Sequence, residues 1–438
     1  TGQYNTGVGY AALGANSTGT QNTALGLQAL ESNTTGSNLT ACGVGALAAN
    51  TTAANNTAVG LSALGVNTTG EKNVAVGANC LDANTTASFN TAIGYEALGV
   101  NTSGASNVAV GLDSLKSNTT ASNNTAVGTN SLKNNTTGAD NVAVGHSSML
   151  LNTTGDNNVS MGYFALEKNT TGDKNTAIGF ECMLSNTTAN LNVAVGSEAF
   201  KSNTTGTQNV AVGAFALDGN TTGTENTCVG YAALDVVTTT HRNTAMGHLA
   251  LQNTSGTQNT GFGWRTGRTI SSGSNNLLLG GDAGNAGSPS GEITTGSNNV
   301  VLGDNNISNL FCADTSISSS DSRDKTDVES FNIGLAWIEA LRPVTYRWDR
   351  RTWYGTQAEP FGTPDGSKKR PRLHIGFLAQ EALEVEKANG YGSSNDDSLL
   401  VNLTDDGMSY GMKYERLVPI LVNAIKELSV KVTALEAG

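Results

Sequence analysis

Proline is nearly absent: there are six in 438 residues, and none before Pro289. Charge is scarce too, at 14% of the chain, and aromatic residues make up only 5%. The scarcity is local. Residues 1–310 carry 9 basic and 17 acidic side chains, whereas residues 311–438 carry 15 and 19 in less than half the length. Three of the four tryptophans lie at or after Trp337. Two kinds of sequence are therefore joined in one chain. The net charge of -12 argues against a nucleic-acid partner, which needs clustered Lys and Arg. No run of 18 apolar residues occurs, so no membrane-spanning helix is expected. The five cysteines (Cys42, Cys80, Cys182, Cys228, Cys312) are far apart and form no CxxC or Cys/His set. They read as small buried apolar residues, not as disulfides or metal ligands. His146, His241, His248 and His374 are scattered, and no metal or cofactor is expected. The first residue is Thr1, not Met, which reads as a fragment or a processed product.

What the chain has in abundance is glycine, 53 of them, and they keep time. The Gly that closes each "NTAVG"-like unit recurs every 17 residues from Gly9 to Gly247, and looser copies end at Gly263, Gly280 and Gly303. A Leu follows four residues later (Leu13, Leu30, Leu47, Leu64) and "NTTG" or "NTTA" starts seven residues later (Asn33, Asn50, Asn67, Asn84). "N-V-A-V-G" has the alternation of a short strand. Gly permits a sharp bend, "A-L" supplies an apolar plug, expected in a helical turn, and "N-T-T-G" has the chemistry of a turn. One such unit cannot bury a core, but stacked copies can, with Asn and Thr aligned in ladders. Many of the Asn also fit the N-x-T glycosylation pattern, but they read better as turn and ladder residues. Coils stacked at strand spacing would make a rod roughly 70–90 Å long.

The period of 17 excludes a Rossmann or TIM arrangement and a heptad coiled coil. The units resemble the head repeats of trimeric adhesins and phage fibres, where similar motifs build a β-roll of shorter period. A triple-stranded β-fibre is the alternative. A glycosidase would need two carboxylates at a set separation. The repeats hold about one acid per coil at variable places such as Asp113, Asp140 and Glu181. The aromatics after the repeat Gly (Tyr10, Tyr95, Phe180, Tyr231) read as surface or inter-chain packing, or as glycan contacts. After Gly247 the insertions "GWRTGRTISSGSNN" and "GGDAGNAGSPSGEITTGSNN" are candidate recognition loops, or a taper ending the solenoid.

The last part reads differently. Residues 333–349 predict a helix, a break at Pro343 and a strand. Residues 374–390 predict a short strand and a helix stopped by Gly390, and 399–414 a hairpin. Val418, Leu421, Ile425, Leu428, Val432 and Leu435 alternate spacings of 3 and 4, a coiled-coil seam. Ile and Val with Leu would favour dimers mildly, but a threefold fibre upstream would impose a trimer.

The blocks "SDSRDK" (320–325), "ALRPVTYRW" (340–348), "HIGFLAQE" (374–381) and "YERLVPILVNAIKEL" (414–428) occur in that order. With them the region resembles the intramolecular chaperone of endosialidase and other phage tailspikes and fibres, the S74 peptidase family. The resemblance implies a domain that helps three chains fold and then cuts itself off before the Ser of its "SDxRxK" motif. Carried to this sequence, it implies a scissile bond between Ser319 and Ser320, with Ser320 as nucleophile, Lys325 as its base and Asp321 orienting the site. A Ser hydroxyl needs such a base, and a Lys serves only when its pKa is depressed. Arg323 is a candidate neighbour for that, while Asp321 and Asp324 oppose it. Without the downstream blocks the stretch would read as a polar linker.

The sequence thus leads to a mostly β chain: a trimeric 17-residue β-solenoid or β-roll shaft, then a small α+β chaperone ending in a coiled-coil helix. The expected divisions are 1–247 for the regular shaft, 248–312 for irregular repeats at its tip, and 313–438 for the chaperone. The expected function is a structural host-attachment fibre of a phage virion, made in the host cytoplasm. Its one reaction would be a single-turnover serine autoproteolysis, with no external substrate. The expected partners are two further copies of the chain, a host-surface receptor (a glycan or an outer-surface protein), and other tail proteins through a missing N-terminal region. No nucleic acid or membrane insertion is expected. A bacterial trimeric surface adhesin with the same chaperone, or a glycan depolymerase tailspike, are the alternatives.

Overall fold

In the first three hundred residues, every repeat becomes one coil of a parallel β-solenoid. The structure is a computed structural model that describes residues 2–236, 238–307, 328–351, 354–355, 362–394, 397–403 and 410–437. Two units divide the chain, Thr1–Asp304 and Asn305–Gly438. In the first, strands β1 (Thr6–Val8) to β18 (Val300–Leu302) are three residues each and form a single sheet. Each pairs in parallel with the next coil, one repeat along: Thr6 with Thr23, Val74 with Thr91 and Thr125 with Val142. The stack continues through the looser copies, β16 (Thr260–Phe262), β17 (Leu277–Leu279) and β18. The long insertion between Gly280 and Gly303 is therefore accommodated outside the strands.

The strand alternation runs opposite to what side-chain size suggests. The middle residue of the strands after β1, in most of them Ala, is buried (Ala58, Ala75, Ala92, Ala109), while the flanking Thr, Val or Ile are partly or largely exposed. The interior is narrow. A second column of small residues (Ala46, Ala63, Cys80, Ala97) and the Leu column (Leu47, Leu64, Leu81, Leu98) fill the rest of it. Where Ser160 replaces the strand Ala, its hydroxyl lies 2.7 Å from that of Ser148 in the facing column, so the buried polar pair is satisfied. Met149, Met183 and Phe200 occupy Leu positions without becoming exposed.

The expected helical turn at "A-L" is absent. The Leu is left-handed instead (Leu30 φ 53°, Leu64 φ 51°), as are residues two before it (Gln28 φ 59°) and eight after it (Asn38 φ 59°). Such a backbone costs an L-residue about 1–2 kcal/mol. It is held by neighbouring coils: the N–H of Gln28 donates to Tyr10 O (2.9 Å), that of Leu30 to Ala46 O (3.0 Å) and that of Asn38 to Thr20 O (3.0 Å).

Two columns of Asn are buried and tie the turns together. Asn67 Nδ2 donates to Asn50 Oδ1 (3.2 Å) and to Gly70 O (2.9 Å). Asn73 Oδ1 accepts from the N–H of Asn90 (2.9 Å), and its Nδ2 donates to Ala87 O (2.9 Å). The Thr ladder is made to the backbone, with Thr68 Oγ1 donating to Thr85 O (3.0 Å). The Asn of the "NTT" triplets is fully buried (Asn33, Asn50, Asn67), which leaves no room for a glycan on it.

In the second unit, α1 (Leu335–Ala340) ends before Pro343 and leads to β19 (Val344–Tyr346), which pairs antiparallel with β20 (His374–Gly376). Then come α2 (Ala379–Ala388), the antiparallel pair β21 (Val401–Leu403) and β22 (Tyr410–Met412), and α3 (Leu417–Glu436). Pro419 sits in the first turn of α3, where its missing N–H costs nothing. Trp337, Ala382, Leu400, Leu417 and Ile420 form this unit's core. The Trp337 indole N–H donates to Val385 O at 3.1 Å.

The repeat Gly marks the closest approach between coils. A Cβ on Gly128 (φ +132°) would lie 2.5 Å from Gly145 O, whereas one on Gly287 would meet nothing within 4 Å. Gly128→Ala is expected to lower stability by about 3 kcal/mol or more, and Gly287→Ala to leave it within about 0.5 kcal/mol. Thermal denaturation of the two variants side by side checks this.

Candidate functional site

The residues singled out for self-cleavage, Ser319, Ser320, Asp321 and Lys325, lie outside the described residues, as do Arg323, Asp324 and Cys312. Their surroundings begin at Val328. From there the chain runs along α3. Asn423, on the middle of that helix, donates its amide to Phe331 O (2.6 Å) and Ile333 O (3.2 Å). Glu427, one turn on, accepts the N–H of Leu335 at the start of α1 (3.1 Å). The stretch that follows the motif is thus pinned to the C-terminal helix at three backbone groups.

The other blocks also meet. In the strand pair, Tyr346 lies opposite His374 and their rings stack at 5.5 Å. Arg342 bridges to Glu381 (Nε to Oε2 3.0 Å), which holds that exposed carboxyl below the usual range. Tyr414, just before α3, accepts the N–H of Phe377 on its hydroxyl (3.1 Å). Beneath them Glu386 is fully buried, accepting from Ser398 Oγ (2.9 Å) and from the N–H groups of Leu399 (3.2 Å) and Val401 (2.9 Å). This carboxylate organises a loop and faces no solvent.

Helix α3 has two apolar faces. Leu417, Ile420 and Ala424 are buried in the unit. The predicted seam, Val418, Leu421, Ile425, Leu428, Val432 and Leu435, is exposed along the whole helix, 66% at Ile425 and 82% at Leu435. Sequence periodicity found the seam. It missed Asn423 and Glu427, although a lone Asn between Val422 and Ala424 was a legible signal.

Residues 320–391 match the family Peptidase_S74, chaperone of endosialidase. The C-terminal region is similar to the endosialidase chaperones. The match opens at Ser320 and takes in α1, β19, β20 and α2; α3 lies beyond it. The family implies an autoproteolytic chaperone, and the match fits, together with the solenoid, a tail fibre or tailspike that carries an S74 chaperone. No curated protein matches the chain.

The shaft offers less chemistry. Cys80 and Cys182 are buried, their thiols pushed up to about 12 by burial, and Cys228 is raised in the same way. Cys42 is only partly buried. Among the described residues no group of three or more His, Cys, Asp or Glu converges as metal ligands. Several charged side chains pair between coils, as Lys133 does with Asp113 (2.8 Å) and Lys201 with Glu181 (2.7 Å). Asp218 is different. Burial, then the charge of Asp235 one coil on, raises its carboxyl to about 6, and its Oδ1 has no hydrogen-bond partner. A carboxyl raised on folding stabilises the fold below its unfolded pKa, and that stabilisation is lost as pH rises toward 6. Asp218→Asn is therefore expected to raise the melting temperature at pH 7 to 8 and to change it little at pH 4. Melting curves across that range check the sign.

Proposed function

We propose that the chain is the distal part of a homotrimeric phage tail fibre or tailspike, whose C-terminal region aligns three chains, promotes folding of the shaft, and then cuts itself off between Ser319 and Ser320. The observation that carries the reading is the exposed apolar seam of α3, on the same helix that holds residues 331–335 behind the motif. A helix apolar on a second, unpartnered face is the form a coiled-coil strand takes before its partners are added. Three such helices coming together would fix the segment that follows the nucleophile, so that cleavage reports assembly.

The chemistry follows from the residue types. Lys325 Nζ takes the proton of Ser320 Oγ, which attacks the carbonyl carbon of Ser319. The carbon–nitrogen bond breaks, the proton returns to the nitrogen, and an ester to Ser320 remains. Water hydrolyses that ester, leaving a carboxylate on Ser319 and a free hydroxyl on Ser320. Each chain reacts once. The shaft then serves as a virion component, made in the host cytoplasm. It would join other tail proteins through a region upstream and bind a host-surface glycan or protein.

Gel electrophoresis and intact mass of freshly made chain test the cleavage. The expected product starts at Ser320 and has about 12 kDa, its 119-residue share of 44.8 kDa. It should vanish in Ser320→Ala and Lys325→Ala. An uncut trimeric wild type would make residues 320–438 a permanent cap. Asn423→Ala should retain the oligomer but slow cleavage about tenfold, the effect of losing roughly 1.4 kcal/mol of hydrogen bonding at the pinned segment; an unchanged rate would remove Asn423 from the mechanism.

A further inference from the structure

The outer face of the solenoid's strands is uncharged from end to end. No Lys, Arg, Asp or Glu occupies the first or third position of any of the eighteen strands. The third position is apolar in every coil, from Val8 and Leu25 through Ile93, Val144 and Ile178 to Leu302, and many of these side chains are exposed. Beside them runs the residue after the repeat Gly, often large and half-exposed: Leu61 53%, Leu112 48%, Tyr163 46%, Tyr231 50%. The charged residues of the regular coils fall elsewhere in the repeat, at the turns, where some of them pair between coils.

We infer that this stripe is the face by which copies of the chain pack side by side, parallel and in register; the inference rests on the homotrimeric reading above. Three observations select a second copy as occupant. The first is area. At even about 50 Å² of apolar surface per coil, fifteen coils present about 750 Å², above the usual largest patch on a monomer and close to one partner's share of a stable interface. The second is period. The stripe repeats with the solenoid, so a partner that fills it along its length must have the same rise per coil, as another copy does. The third is ring geometry. His146, Tyr163 and Phe180 stack on one another at 5.3 and 5.6 Å with planes 18° and 4° apart, and Tyr231 stacks on His248 in the same way. Within these stacks the facing sides of the rings cover each other, which leaves less open ring face for a sugar, while the outward edges suit interdigitation with a neighbouring sheet.

Cysteine cross-linking of the full chain tests this. In a background of Cys42→Val and Cys312→Ser, with the three buried cysteines retained, Val127→Cys is placed on the stripe and Thr120→Cys on the exposed turn column. After treatment with a short bis-maleimide, Val127→Cys is expected to give covalent dimers between identical positions in most of the material, and Thr120→Cys at least tenfold fewer. Sedimentation is run in parallel. A trimer that cross-links at position 120 and not at 127 overturns the inference and leaves the trimer standing. A monomeric chain overturns both. A trimer in which the cysteine at position 127 takes up maleimide without forming covalent dimers shows that the stripe does not face another copy and also overturns it.

Discussion

Each coil of the shaft is completed by its neighbour, and the rest of the structure depends on this. The buried amide of Asn67 is satisfied by Asn50 in the previous coil, the carbonyl of Asn73 accepts from Asn90 in the next, and the left-handed Leu30 is held by Ala46. A lone coil would keep the strain of three left-handed residues and bury unsatisfied amides, a cost of several kcal/mol. A stack recovers that cost at every interface, so its stability grows with the number of coils while the first coils are the hardest to form.

The same economy creates the problem that a chaperone solves. Because the coils are nearly identical, the hydrogen bonds that hold one pair of coils could hold another, and register is weakly specified within the repeats. A separate unit with a unique sequence has no such degeneracy. Here that unit ends in a helix with a second apolar face, and the helix grips the segment that follows the candidate cleavage motif. On the proposed reading, association of that helix comes first and the strands zip afterwards. Removal of the chaperone then leaves a stack without its non-repetitive part, held by the height of its unfolding barrier.

Much of this was legible from residue spacing. Gly at an unbroken period of 17 shows a coil because only Gly tolerates a φ near +135° against the next backbone, and Asn recurs because its amide both donates and accepts. The helix and strand pattern of residues 333–436 was readable from Pro343, Gly390 and the 3–4 spacing of the last helix. The facing of the strands was not. A three-residue strand with two large residues and one small one suggests that the large ones go inside, yet the core is lined by opposing Ala columns and has room only for the small one. Nor does anything in the chemistry of Leu mark it as left-handed; that conformation is imposed by hydrogen bonds to the adjoining coils. Ser320 and its neighbours were legible only through family resemblance, since a short polar stretch has no periodicity to read.

The irregular coils bear on register as well. From Gly9 to Gly247 the spacing never changes, but the following intervals are 16, 17 and 23 residues. For copies packed side by side, an offset of one coil in the regular part loses one coil of contact and still sets apolar strand positions against apolar strand positions. The same offset at the irregular end sets a 23-residue coil, with its Ser288 and Asn285 turn, against a 17-residue one. There an offset changes the length of the coils that meet, and not only their side chains. These coils are also the last before the chaperone in sequence, so a register chosen at the C-terminal end is checked first by the coils best able to reject an error. The regular coils can then be uniform, because they propagate an alignment and do not have to find it.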